Sequence, residues 1–124
     1  MRNRSAMRIL YVEEHPESCE LLAIWLSSYG YKLVTANTMS DGLGMAKGGA
    51  FDAYILSGKF IDGTGLELCR LIRLFDPTTP IVFYSALARD SDLVAAVSAG
   101  AQAYLIKPND FEQIEPTLKL LLNS

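Results

Sequence analysis

Two kinds of apolar pattern alternate along this chain. Short, nearly unbroken runs have the length and continuity of strands covered on both faces: Ile9-Leu10-Tyr11-Val12, Ala53-Tyr54-Ile55-Leu56, Ile81-Val82-Phe83-Tyr84 and Ala103-Tyr104-Leu105-Ile106. Between them, apolar residues recur every three or four positions, as on one side of a helix. Cys19, Leu22, Ala23, Leu26 and Tyr29 form one such set, and Leu68, Leu71, Ile72 and Phe75 another. Phe111, Ile114, Leu118 and Leu121 form a third. Tyr31 to Ala36 reads as a further strand. It carries Lys32 and Thr35, so it belongs near a sheet edge.

Punctuation supports these elements. Pro16 suits the first turn of the first helix, and Gly30 its end. Ser40 is expected to cap a short, glycine-weakened helix reaching about Lys47. Pro77 follows the third helix, and Pro80 opens the fourth strand. Asp90 to Ala99 reads as a helix, with acids in its first turn and Gly100 beyond its end. Asn109 and Glu112 have the spacing of a capping box for the last helix.

Strands joined by helices must pair in parallel through right-handed crossovers. The expected fold is therefore α/β, a single doubly wound five-stranded parallel sheet with helices on both faces. The order 2-1-3-4-5 of flavodoxin-like folds places the polar second strand at an edge. Residues 1–7 are expected to form an N-terminal extension, and 8–124 the domain.

Composition narrows the function. Half of the 124 residues are hydrophobic and 20% are charged, which excludes a disordered chain. A net charge of −3 argues against direct contact with nucleic acid, which needs a basic face. No apolar run approaches the roughly 18 residues of a membrane span. Cys19 and Cys69, both on apolar helix faces, read as reduced thiols of a cytoplasmic protein. His15, the only histidine, reads as an exposed loop residue. The glycines at 42, 44, 48 and 49 lack the strand, helix and lysine context of a phosphate loop.

The carboxyl ends of the strands carry the chemistry, as open parallel sheets favour. They present Glu13-Glu14, Ser57, Ser85 and Lys107. These residues lie in Ile9-Leu10-Tyr11-Val12-Glu13-Glu14, Phe51-Asp52-Ala53-Tyr54-Ile55-Leu56-Ser57, Asp62-Gly63, Ile81-Val82-Phe83-Tyr84-Ser85-Ala86 and the run from Ala99 to Pro108. In order and spacing, these segments resemble the receiver domain of two-component response regulators, over roughly residues 8 to 122. The resemblance implies that Glu13 and Glu14 occupy the place of an acidic pair that holds magnesium. It puts Ser57 on the phospho-accepting aspartate and Ser85 on the hydroxyl that bonds the phosphoryl group. Lys107 falls on the lysine that pairs with both, Tyr104 on the aromatic that moves with the switch, and Pro108 on a cis-proline.

The departures from that pattern set the functional expectation. A serine hydroxyl is not ionised at neutral pH and is a weak nucleophile without an adjacent base. It also cannot form a labile acyl phosphate. The pocket has lost one carboxylate, while Lys107, and Lys59 beside it, can supply positive charge, so Mg2+ is expected to bind weakly or not at all. Ile61 is a smaller departure, standing where many receivers have proline. The chain thus reads as a degenerate receiver of a two-component or phosphorelay protein. It would be a phosphorylation-independent interaction module and not an enzyme. Its partner would be a signalling protein: a kinase, an output domain or another receiver, with neither nucleic acid nor membrane contacted directly. Two alternatives remain open at this point: a normal receiver with an altered acceptor, and a hydrolase using Ser57.

Overall fold

The computed structural model describes residues 6–123. Most of the extension expected at 1–7 therefore lies outside the described residues. The elements run β1 (Arg8–Val12), α1 (Pro16–Ser27), β2 (Lys32–Ala36), α2 (Met39–Gly48), β3 (Ala53–Leu56), β4 (Lys59–Phe60), β5 (Gly63–Thr64), α3 (Gly65–Arg73), β6 (Ile81–Ser85), α4 (Asp90–Ser98), β7 (Ala103–Ile106) and α5 (Ile114–Leu122). A short 3-10 turn, Phe111–Gln113, leads into α5.

The main sheet has the order β2-β1-β3-β6-β7, all parallel, which is the expected 2-1-3-4-5 counted over its own five strands. The strand alternation splits the core into two layers. Leu10, Val12, Tyr54, Leu56 and Phe83 face Ala46 of α2, Leu68, Cys69 and Ile72 of α3 and Ala96 of α4. Ile9, Tyr11, Ile55 and Val82 face Cys19, Leu22 and Leu26 of α1 and Ile114 and Leu118 of α5. The cysteines lie in different layers and are free thiols, and burial pushes both of them up in pKa.

Several local expectations are corrected. Thr38, not Ser40, caps α2: its hydroxyl accepts from the Asp41 N–H at 3.0 Å. The Met39 and Ser40 N–H groups instead donate to Asp62 at 2.8 and 2.9 Å, so α2 begins with its orphan donors already satisfied. Asn109 and Glu112 form no capping box. The chain makes a 3-10 turn there, and the Asp110 carboxylate accepts the Ile106 N–H at 2.8 Å. Tyr29 and Phe75 fall beyond their helices and are exposed. The segment read as a plain loop after Ser57 contains the β4–β5 hairpin, which pairs Lys59 with Thr64 and Phe60 with Gly63. Thr64 then caps α3 by accepting the Glu67 N–H.

Candidate functional site

Parallel register brings the strand ends to one edge of the sheet. The Ser57 N–H donates to Val12 O at 3.0 Å, which holds the end of β3 beside the end of β1. The Lys107 N–H donates to Ser85 O at 2.9 Å and ties the end of β7 to β6. The bond between Lys107 and Pro108 is cis.

At this edge Lys107 Nζ is the central donor. It forms a short ion pair with Glu13 Oε1 and lies 3.2 Å from Ser57 Oγ. Its Nζ lies over the Tyr84 ring, 5.5 Å from the centroid. Ser57 is buried at 6% exposure, and Glu13 more deeply at 1%. Burial favours the neutral acid at Glu13. The hydrogen bonds from Lys107 and His15 outweigh it and hold the carboxyl below its ordinary value of 4.5.

Two contributors to this site escaped the sequence reading. Tyr11 OH donates to Glu13 Oε1 at 3.2 Å, and burial first, then the Glu13 charge, push its phenol up. Its place two residues before Glu13 puts both side chains on one side of β1, which was a usable signal. His15 was read as a free loop residue. Its side chain is largely exposed, yet its backbone N–H donates to Glu13 Oε2 at 3.0 Å and its Nδ1 lies 3.0 Å from the same oxygen.

The remaining residues singled out in the sequence are placed as follows. Glu14 is half-buried and Lys59 is exposed on β4. Buried Ser85 accepts the Leu87 N–H on Oγ at 3.0 Å. Tyr104 is half-buried and stacked on Phe83 at 5.4 Å, and its hydroxyl donates to Leu87 O at 2.7 Å. Ser85 and Tyr104 thus grip the same residue of the β6–α4 loop, one at its N–H and the other at its carbonyl. A cleft of about 180 Å3 opens beside them, lined by Gly58, Leu66, Phe83, Leu87, Ala95 and Tyr104 among others.

Comparison with known proteins follows this geometry. The family model of the response regulator receiver domain matches residues 9–119, so the chain belongs to the response regulator receiver domain family of two-component signalling. Among curated relatives, the transcriptional regulatory protein ZraR of Salmonella typhimurium is 29% identical over 119 residues, covering 96% of this chain and 27% of ZraR. The chain therefore spans about a quarter of that relative's length. A two-component response regulator from Clostridium difficile superposes with a TM-score of 0.89 at 27% identity, covering 94% of this chain and 96% of that one. The response regulator TrrA of Thermotoga maritima, solved in complex with Mg2+-BeF, superposes with a TM-score of 0.85 at 31% identity, covering 94% and 99%.

That relative was solved with Mg2+; the polar groups at the strand ends here are Glu13, Glu14, Ser57, Ser85 and Lys107. Mg2+ takes oxygen ligands in a near-octahedral arrangement. Both Glu13 oxygens accept from protein donors, and Ser57 presents a hydroxyl. Among the described residues, no group of three or more His, Cys, Asp or Glu is placed to hold a metal ion. Among the same residues, no helix is long and apolar enough to cross a membrane.

Proposed function

We propose that this chain is a receiver domain without aspartyl-phosphate chemistry, working as a phosphorylation-independent protein-interaction module. The observation that carries this reading is Ser57 Oγ at the carboxyl end of β3, 3.2 Å from a lysine already paired with Glu13. The hydroxyl has no adjacent base to activate it, since Lys107 meets it as a donor. The same pairing speaks against a serine hydrolase, and no glycine-flanked nucleophile elbow surrounds Ser57. The receiver unit is residues 8–124. Its pocket is Glu13, Glu14, Ser57, Lys59, Ser85 and Lys107, with weak or no affinity for Mg2+ and Tyr104 at the output side. The module acts in the cytoplasm on a signalling protein, a kinase, output domain or another receiver, without direct contact to nucleic acid or membrane.

Incubation with acetyl phosphate and magnesium, followed by intact mass, tests this. The expected result is no adduct. A phosphoryl adduct mapped to Ser57 would defeat the reading.

Output without a phosphate trigger must come from a surface set by the fold or a partner. On α4, Val94 and Val97 are 65% and 61% exposed and lie at helical spacing on one side. Association through this side is expected to be apolar and little affected by salt, because screening acts on exposed charge. Sedimentation at low and high salt checks it. A dimer that dissociates as salt rises would show that charged contacts hold it.

A further inference from the structure

The strongest unassigned feature is the complete occupation of Glu13 by donors from its own chain. We propose that His15 and Lys107 together stand in for a divalent cation at Glu13, with His15 the positioning residue that closes the second carboxylate oxygen to metal. This rests on the reading of the pocket as a degenerate receiver site, but it concerns Glu13 and not Ser57.

An ionised carboxylate offers about four lone-pair positions on its two oxygens. At Glu13, Oε1 takes Lys107 Nζ and the Tyr11 hydroxyl. Oε2 takes the His15 N–H and faces His15 Nδ1, in the ring form that carries the proton there. With that ring form, each of the four lone-pair positions is matched by a donor. A metal ion would have to displace two of them and sit beside the Lys107 ammonium, whose charge repels it. Glu14, the other carboxylate of the acidic pair, would then be left to hold the ion with water completing the shell.

The local sequence explains why His15 can do this. It precedes Pro16, and a residue before proline is pressed into extended backbone. His15 has φ −96° and ψ 112°. In this conformation its N–H and its ring nitrogen converge on one oxygen two residues back. It is also the N-cap of α1, but its side chain makes no capping bond, which leaves the ring free for Glu13.

The test uses Mn2+ alone as the probe, with the free ion read by electron paramagnetic resonance. His15→Ala is expected to tighten Mn2+ binding by about threefold to tenfold, roughly one hydrogen bond's worth. His15→Asn, whose amide nitrogen falls near the place of Nδ1, should stay within about twofold of the unaltered protein. In a Glu13→Gln background the His15→Ala change should have no effect, because the oxygen it uncovers no longer carries charge. The His15 side chain is 68% exposed, so these variants are expected to keep the fold, and thermal unfolding verifies it. Sub-millimolar Mn2+ binding by the unaltered protein would overturn the proposal. So would a folded His15→Ala variant that binds Mn2+ no more tightly. The phosphodonor experiment reads Ser57 and this one reads Glu13, so either can fail alone.

Discussion

Replacing Gly65 by alanine is expected to destabilise the domain by about 2–3 kcal/mol, although alanine is the better helix former. A Cβ at this position would lie 2.1 Å from Ser57 O and 2.9 Å from the Phe83 ring. The first contact is with backbone, so no side-chain rotation relieves it. Gly65 opens α3 and donates its N–H to Gly58 O at 3.0 Å, which pins the helix start against the turn after Ser57. Relief of the clash must move α3 or the Ser57 peptide, and so disturbs both the core layer and the site. Gly44, inside α2, supplies the control, because a Cβ there meets nothing within 4 Å. Gly44→Ala should stabilise by roughly 0.5–1 kcal/mol through helix propensity alone. Urea denaturation of both variants decides the matter. Changes of the same sign would show that space at residue 65 is not what selects glycine.

Lys107→Met should cost about 3 kcal/mol near neutral pH, the lower end for breaking a buried pair, because the lysine stays partly open to solvent at 22% exposure. The loss has a sign in pH. In the intact protein the Glu13 carboxyl is held below 4.5, so its pairing stabilises the fold above that value and is lost as pH falls through the lowered pKa. Without Lys107, the largest lowering influence is gone and burial remains, so the folded-state pKa rises. Glu13 then prefers to be protonated in the folded protein, and the variant is penalised most where the acid must ionise. The gap between the two proteins should therefore be widest at pH 7 and narrow toward pH 4. Urea midpoints at the two pH values test this. An equal gap at both would show that ionisation of Glu13 is not what sets the effect.

The layout of the sheet was readable because it depends on local pattern. The continuous apolar runs at Ile9–Val12, Ala53–Leu56 and Ile81–Tyr84 can be satisfied only by burial on both faces. Parallel pairing through helices then follows from connectivity. Lys32 and Thr35 marked β2 as an edge, and β2 is one. Helix ends were less legible. Thr38 and Ser40 are both good caps in isolation, and Asp62, far along the chain, decided between them by taking the Met39 and Ser40 N–H groups. The β4–β5 hairpin is only two residues per strand, too short for an alternating pattern to show.

The same division holds at the site. The order of residues along the chain by itself determined which residue types stand at the strand ends, because parallel strands all deliver their carboxyl ends to one edge. It therefore placed a hydroxyl, an acid and a lysine at one edge, where the Ser57 hydroxyl lies 3.2 Å from Lys107 Nζ. Only the tertiary structure decided which of two adjacent glutamates is engaged. Glu13 turns in beneath Lys107, Tyr11 and His15, while Glu14 remains half-buried. Adjacent side chains point to opposite sides, and sequence alone does not say which side the last strand's lysine will occupy. Sequence alone reads His15 as an exposed loop residue, which it is, because a histidine before a proline at a helix start is ordinarily solvated. Its approach to Glu13 became visible only in the folded backbone, where the extended residue before Pro16 brings both its N–H and its Nδ1 to 3.0 Å from Glu13 Oε2.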